Sequence, residues 1–171
     1  MIYTTHTEDF IRQLYTKIGI TKPHQLNYMD IANCLGIRVF PAPYEVGPSQ
    51  ALFAHNIPFI FLENHLTPAR RWQDFCHELC HVLLHTGNQA SMPHSWIEYQ
   101  ENKANHFMFH ACIPSFMLDE LDLYDNNAIN AQHIQHLFTV EYDFAVKRLT
   151  QYISNKRIYA ELAYRKSLQE L

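Results

Sequence analysis

The sequence predicts an α+β fold, mostly helical, with a small three-stranded antiparallel sheet packed on one long helix. Three observations carry this. Apolar residues recur at helical spacing towards both ends of the chain, a group of short β-patterned runs separates them, and those runs stand close enough to pair as neighbours. The chain has 171 residues, 47% hydrophobic and 18% charged. That composition suits one packed domain over residues 1–171 and is unlike a disordered or disulfide-stapled chain.

The first helix is expected over residues 7–18. Phe10, Ile11, Leu14 and Ile18 share one face, and Thr5 with Glu8 makes a capping box. Residues 19–26, with Pro23, read as a loop. A second helix is expected over 28–35, capped by Asn27, with Asp30 in its first turn and Gly36 as its stop. Residues 37–40 read as a strand closed by Pro41 and Pro43. Residues 49–54 and 57–62 read as two strands flanking His55-Asn56, a two-residue hairpin turn that Asn tolerates. Pro58 has no N–H for a sheet ladder, which places the second of these strands at an edge or a bulge.

The third helix is expected over 68–85. Thr67 is its N-cap, Pro68 suits its first position, and Gly87 ends it. Residues 88–94 form a loop holding Pro93. A fourth helix covers 96–112, and Pro114 opens another short one. From residue 130 the pattern is helical again. Ile134, Leu137 and Phe138 form one stripe, and Phe144, Val146, Leu149, Tyr152 and Ile153 supply another apolar surface. The sheet and third and fourth helices thus occupy about 37–112, and closing helices about 114–171.

The formal net charge of −4 gives no general attraction for nucleic acid or anionic membrane. Lys147 with Arg148, and Lys156 with Arg157, read as solvated helix faces. No apolar run approaches the roughly 20 residues of a membrane-spanning helix, and the opening residues lack the pattern of a secretion signal. A cytoplasmic chain is expected, with Cys34, Cys76, Cys80 and Cys112 reduced. No CxxC pair is present, which argues against a structural zinc ribbon.

Chemistry concentrates in the third helix, at His77-Glu78-Leu79-Cys80-His81. Residues four apart on a helix lie one above the other, so His77 and His81 present two imidazoles to one point, as a tetrahedral zinc requires. Glu78 lies about 100° around the helix from His77 and can reach a water there without being a ligand. Trp72, Phe75, Leu79, Val82 and Leu83 share a different arc, the core face. A catalytic site needs a third protein ligand and an open position. Glu101 and, one turn earlier, Glu98 are the candidates on the fourth helix, where small Ala104 lets the two helices approach. His85 continues the histidine row, but four protein ligands would close the site, so it reads as a neighbour of the ligands or a helix-end residue. A donor for an oxyanion is also needed, and His55, His65, His94, Tyr99 and Tyr142 are candidates.

The chain resembles the ImmA/IrrE family of metallopeptidases. The shared motifs are HELxH followed by LLH, here HELCHVLLH, then E-x-x-A-N-x-F, here ENKANHF, with a close proline in ACIP. FIFLEN and TPARRWQDFCHELCH upstream, and FTVEYDFAVKRLTQY downstream, follow the family's order, so the likeness covers about residues 10–155. The resemblance implies a zincin-like core, a Zn2+ held by His77, His81 and Glu101, and Glu78 as the catalytic base. It also implies a protein substrate, a helix-turn-helix repressor of a phage or mobile element. The family usually has Gly where Cys80 stands; Cys80, with Cys76, reads as a small buried hydrophobe rather than a ligand. Two other readings are a metal-containing regulatory module that binds a repressor without cutting it, and a DNA-binding protein built on helices within 130–154. The intact Glu78 argues against the first and the acidic charge against the second.

Overall fold

The computed structural model describes residues 4–42, 48–84, 92–123 and 127–169. Helix α1 (His6–Lys17) opens on the expected capping box. The Glu8 N–H donates to Thr5 Oγ1 (3.2 Å) and the Thr5 N–H donates to Glu8 Oε2 (2.8 Å). Each bond satisfies an amide that the helix leaves without an internal partner. The helix buries Ile11 and Tyr15. A single 3₁₀ turn, Pro23–Gln25, occupies the expected loop. In α2 (Tyr28–Cys34), Asn27 Oδ1 accepts the Met29 and Asp30 amides at 2.9 and 3.3 Å, and Gly36 ends the helix at φ 69°.

The strands are β1 (Arg38–Pro41), β2 (Gln50–Ala54) and β3 (Ile57–Leu62), in the order β1-β3-β2. β2 pairs with β3 antiparallel, and β1 pairs with β3 parallel. The sheet is therefore mixed, not purely antiparallel. β3 is its central strand, not the edge that Pro58 suggested. The proline is accommodated because β1 pairing begins opposite Phe59, so Pro58 faces a partner, Phe53 of β2, on one side only. The near-continuous apolar run of β3 suits a strand with neighbours on both sides. His55 (φ 51°) and Asn56 (φ 62°) are both left-handed, as a type I′ hairpin turn demands.

Ile60 and Leu62 of β3 are buried, and α3 (Pro68–Leu84) packs against β2 and β3. Thr67 Oγ1 caps α3 by accepting the Arg70 amide at 3.2 Å. Trp72, Phe75 and Leu79 are buried as their arc requires, together with Cys76 and Cys80, while Val82 and Leu83 are half-buried. The expected helix end, with His85 and Gly87, lies outside the described residues. Helix α4 (His94–Cys112) begins one turn-half earlier than expected, with Pro93 at its N-cap, and packs along α3. Ala104 is fully buried.

Three further helices close the core: α5 (Ser115–Leu118), α6 (Asn127–Phe138) and α7 (Tyr142–Gln169). Thr139, at φ 53°, turns the chain between α6 and α7. Gln73 of α3 fastens the start of α7, accepting the Glu141 amide (2.8 Å) and donating to its carboxylate (3.1 Å). Val146 faces solvent, unlike its apolar companions Phe144, Leu149 and Tyr152. Arg148 corrects the expectation of a solvated basic face, because it is fully buried. Its guanidinium donates to the Ile113 carbonyl (3.1 Å) and to Ser115 Oγ (2.6 Å), and Ser115 in turn donates to Glu8. One hydrophobic cluster runs from Ile11 of α1 to Tyr152 of α7. Among the described residues, no helix is long and apolar enough to cross a membrane.

Candidate metal centre

His77 and His81 stand one turn apart on α3, and α4 brings Glu101 across to them. His77 Nε2 lies 3.2 Å from His81 Nε2 and 3.1 Å from Glu101 Oε2. His81 Nε2 lies 3.4 Å from Glu101 Oε1. Donors bound at about 2.0–2.1 Å around a tetrahedral zinc are separated by roughly 3.3 Å. Two imidazole nitrogens and a carboxylate are also the donor types that catalytic zinc takes, with one position left for solvent. The three residues thus fit a divalent ion in both chemistry and spacing, and they form a group that could hold a metal. All three are half-buried.

Glu98, the rival for the third position, is not in this group. It is solvent-exposed and its carboxylate lies 3.9 Å from His94 Nδ1. Periodicity explains the difference. Glu101 lies three residues before buried Ala104 and one after buried Gln100, on the flank of the face that meets α3. Glu98 is turned farther towards solvent.

Glu78 is 7% exposed, far more buried than a carboxyl in an open cleft. Burial pushes its pKa up to about 8; the Ala51 backbone N–H, hydrogen-bonded to the carboxyl, opposes this, and the negative charges of Glu101 and Asp74 add to it. The Ala51 contact brings edge strand β2 into the site. The sequence carried no local signal for it, because it joins residues in different elements. Asp74, one turn before Glu78, was visible in principle as a carboxylate on the same row. Its partner Ser49, whose hydroxyl donates to Asp74 Oδ2 at 2.9 Å, was not.

Cys80 is fully buried and outside the converging group; burial, with a smaller contribution from Glu101, pushes its thiol up to about 12 despite nearby Lys103. It packs as a small apolar residue. The five candidates for an oxyanion donor are dispersed. His55 forms the hairpin turn, and His65 is exposed on the segment before α3. His94 opens α4 beside Glu98, and Tyr142 is exposed at the start of α7. Tyr99 meets Trp96 edge-on at 6.1 Å and lines a cavity of about 460 Å³ with Leu84, Lys103 and Gln100.

A mixed sheet laid on a helix that pairs two histidines with a carboxylate from the next helix defines a metallopeptidase-type protein. Residues 32–150 match the Peptidase_M78 family, the IrrE N-terminal-like domain, and the chain belongs to that family. The family indicates peptidase activity, with protein as the substrate class. Two relatives in Bacillus subtilis (strain 168) align over most of its length. The uncharacterized protein YqaB is 39% identical over 153 residues, which cover 89% of this chain and 87% of YqaB. The phage-like element PBSX protein XkdA is 36% identical over 154 residues, covering 90% of this chain and 76% of XkdA.

Proposed function

We propose that this chain is a zinc-dependent endopeptidase that cleaves a helix-turn-helix repressor of a phage or mobile element in the cytoplasm. The observation that carries the zinc assignment is the set of three donor separations of 3.1–3.4 Å among His77, His81 and Glu101. The name of the relative XkdA, a phage-like element protein, supports the mobile-element setting. Residues 1–171 act as one domain in this reading, in keeping with the continuous core.

His77, His81 and Glu101 hold the ion. Bound zinc supplies Lewis acidity, acidifying water to a pKa of about 7 and polarising a carbonyl. With a divalent cation beside it favouring the ionised form, Glu78 would take a proton from the attacking water onto its carboxylate oxygen and return it to the departing amine nitrogen. Burial of Glu78 keeps bulk water from competing for that proton. An extended substrate pairs with β2, the edge strand whose Ala51 amide meets Glu78, rather than with central β3.

The test uses the purified chain and a helix-turn-helix repressor from the phage or mobile element that carries it. The wild type binds one zinc and cuts the repressor, and Glu78→Gln keeps the zinc and loses the cut. Cleavage retained in Glu78→Gln refutes the assigned base. Binding of the repressor with zinc present and no cleavage in the wild type favours the regulatory module instead.

A further inference from the structure

Strand β2 is fastened to α3 at two points. The first is Ser49, just before the strand. Its hydroxyl donates to Asp74 Oδ2 (2.9 Å) and accepts the Glu63 amide from the end of β3 (3.1 Å). Asp74 is held in turn by Arg70, with Nε 3.1 Å from Oδ1. The second point lies two residues along, where the Ala51 N–H bonds to the Glu78 carboxyl. The spacings match. Two strand residues advance about 6.6 Å and four helical residues about 6 Å. Ser49 over Asp74 and Ala51 over Glu78 are therefore successive rungs between a strand and the helix beneath it.

This arrangement answers a specific difficulty. Among the described residues β2 is an edge strand, paired only with β3, and an edge strand has one side free to shift. The hairpin turn fixes β2 against β3 but not against α3. Successive amides of a strand point to opposite sides, so a displacement by one residue takes the Ala51 N–H away from Glu78.

We propose that Asp74, acting through Ser49, is a positioning residue that sets the placement of β2 over α3, so that the Ala51 amide holds the Glu78 carboxyl beside the metal triad. The consequence for catalysis rests on the peptidase reading; the geometry does not. Asp74 touches neither the triad nor a substrate in this scheme. It acts on the base through the strand.

The experiment follows amide hydrogen exchange by NMR in the full, metal-free chain, with Ile60 of β3 as internal reference. Ser49→Ala and Asp74→Ala each raise exchange at Ala51 about five- to tenfold, the effect of one lost hydrogen bond, while Ile60 is unchanged. Ser49→Thr, which keeps the hydroxyl, leaves Ala51 protected. Unaltered Ala51 exchange in Ser49→Ala overturns the proposal. If Asp74→Ala loosens Ile60 as well, Asp74→Asn decides, because it keeps an acceptor for Ser49. Restored protection upholds the proposal, and its absence beside a protected Ile60 overturns it. In the zinc-loaded chain acting on fluorescein-casein, Ser49→Ala lowers kcat about five- to tenfold at constant KM and zinc content. A rise in KM alone counts against a positioning role. A wild type that binds zinc but cleaves no protein counts against the peptidase reading only, and the exchange result still judges Asp74.

Discussion

Two buried ionisable side chains pull the stability of the metal-free protein in opposite directions with pH. Glu78 is raised to about 8, chiefly by burial. The unfolded chain gives up this proton near 4.5, the folded chain only near 8. The folded state therefore binds more protons in that window, and stability falls as pH rises through it, by at most ~1.4 kcal/mol per unit. Glu78→Gln removes the slope and can still accept the Ala51 bond. Urea midpoints of the metal-free proteins are expected to show the variant ahead at pH 8 and level with wild type near pH 4.5. His110 works from the other side. It is 1% exposed, and among the described residues neither ring nitrogen has a hydrogen-bond partner. Burial lowers its pKa to about 3, helped by Arg148 and His106 and resisted by Glu8. The unfolded chain takes up this proton below 6.5 while the folded chain refuses it until about 3, so stability falls as pH drops across that range. His110→Leu is expected to lose less stability than wild type between pH 7 and pH 5, measured by the same midpoints. An equal loss in both would mean that His110 is protonated in the fold. The sequence showed which side chains carry the candidate chemistry at His77, Glu78 and His81. It could not show these titrations, since burial belongs to the assembled elements.

At the scale of the elements, the caps and turns were the most legible features because each is encoded within a few residues. The Thr5–Glu8 box, the Asn27 and Thr67 caps and the Gly36 stop all form where local chemistry places them. The hairpin was legible for the same reason, and it is imperfectly made. His55 and Asn56 are both left-handed, and His pays for that conformation in side-chain crowding more than Gly or Asn would. Asn56→Gly and His55→Asn are each expected to stabilise the fold, by about 0.5–1 kcal/mol, visible as a higher urea midpoint with unchanged slope. A lower midpoint would show that the two side chains hold the turn by contacts of their own. What escaped local reading was the partner of β1. Its parallel pairing with β3 leaves β2 on the far side of β3, a non-local arrangement that no run of neighbouring residues encodes. Arg148 escaped because charge and period disagreed. It stands four residues from both Phe144 and Tyr152, on the buried stripe, and the Ile113 carbonyl, Ser115 and the negative charges of Glu8 and Asp119 make that place tolerable for a guanidinium.

For the molecule as a whole, the triad joins α3 to α4, so an ion bound there stabilises the packed state over the unfolded chain. Neither helix alone holds all three donors. A ligand that binds only the native state adds about 2.7 kcal/mol when its free concentration is a hundred times its Kd. In a chain of 171 residues, each kcal/mol moves Tm by roughly 2–4 °C. Zinc at that concentration is therefore expected to raise Tm by about 5–10 °C, and a chelator to reverse the rise. The variants separate the roles. His81→Ala and Glu101→Ala lose the zinc-dependent shift, whereas Glu78→Gln keeps it because Glu78 lies outside the donor set. Glu98→Ala also keeps the full shift, since that carboxylate sits with His94 at the surface. This last comparison bears on the point that residue spacing left open. Both glutamates stand one turn apart on α4, and only the packing of α4 along α3 turns one of them inward. A shift lost in Glu98→Ala and kept in Glu101→Ala would mean that α4 sits one turn out of place, and the donor separations that carry the zinc assignment would no longer hold.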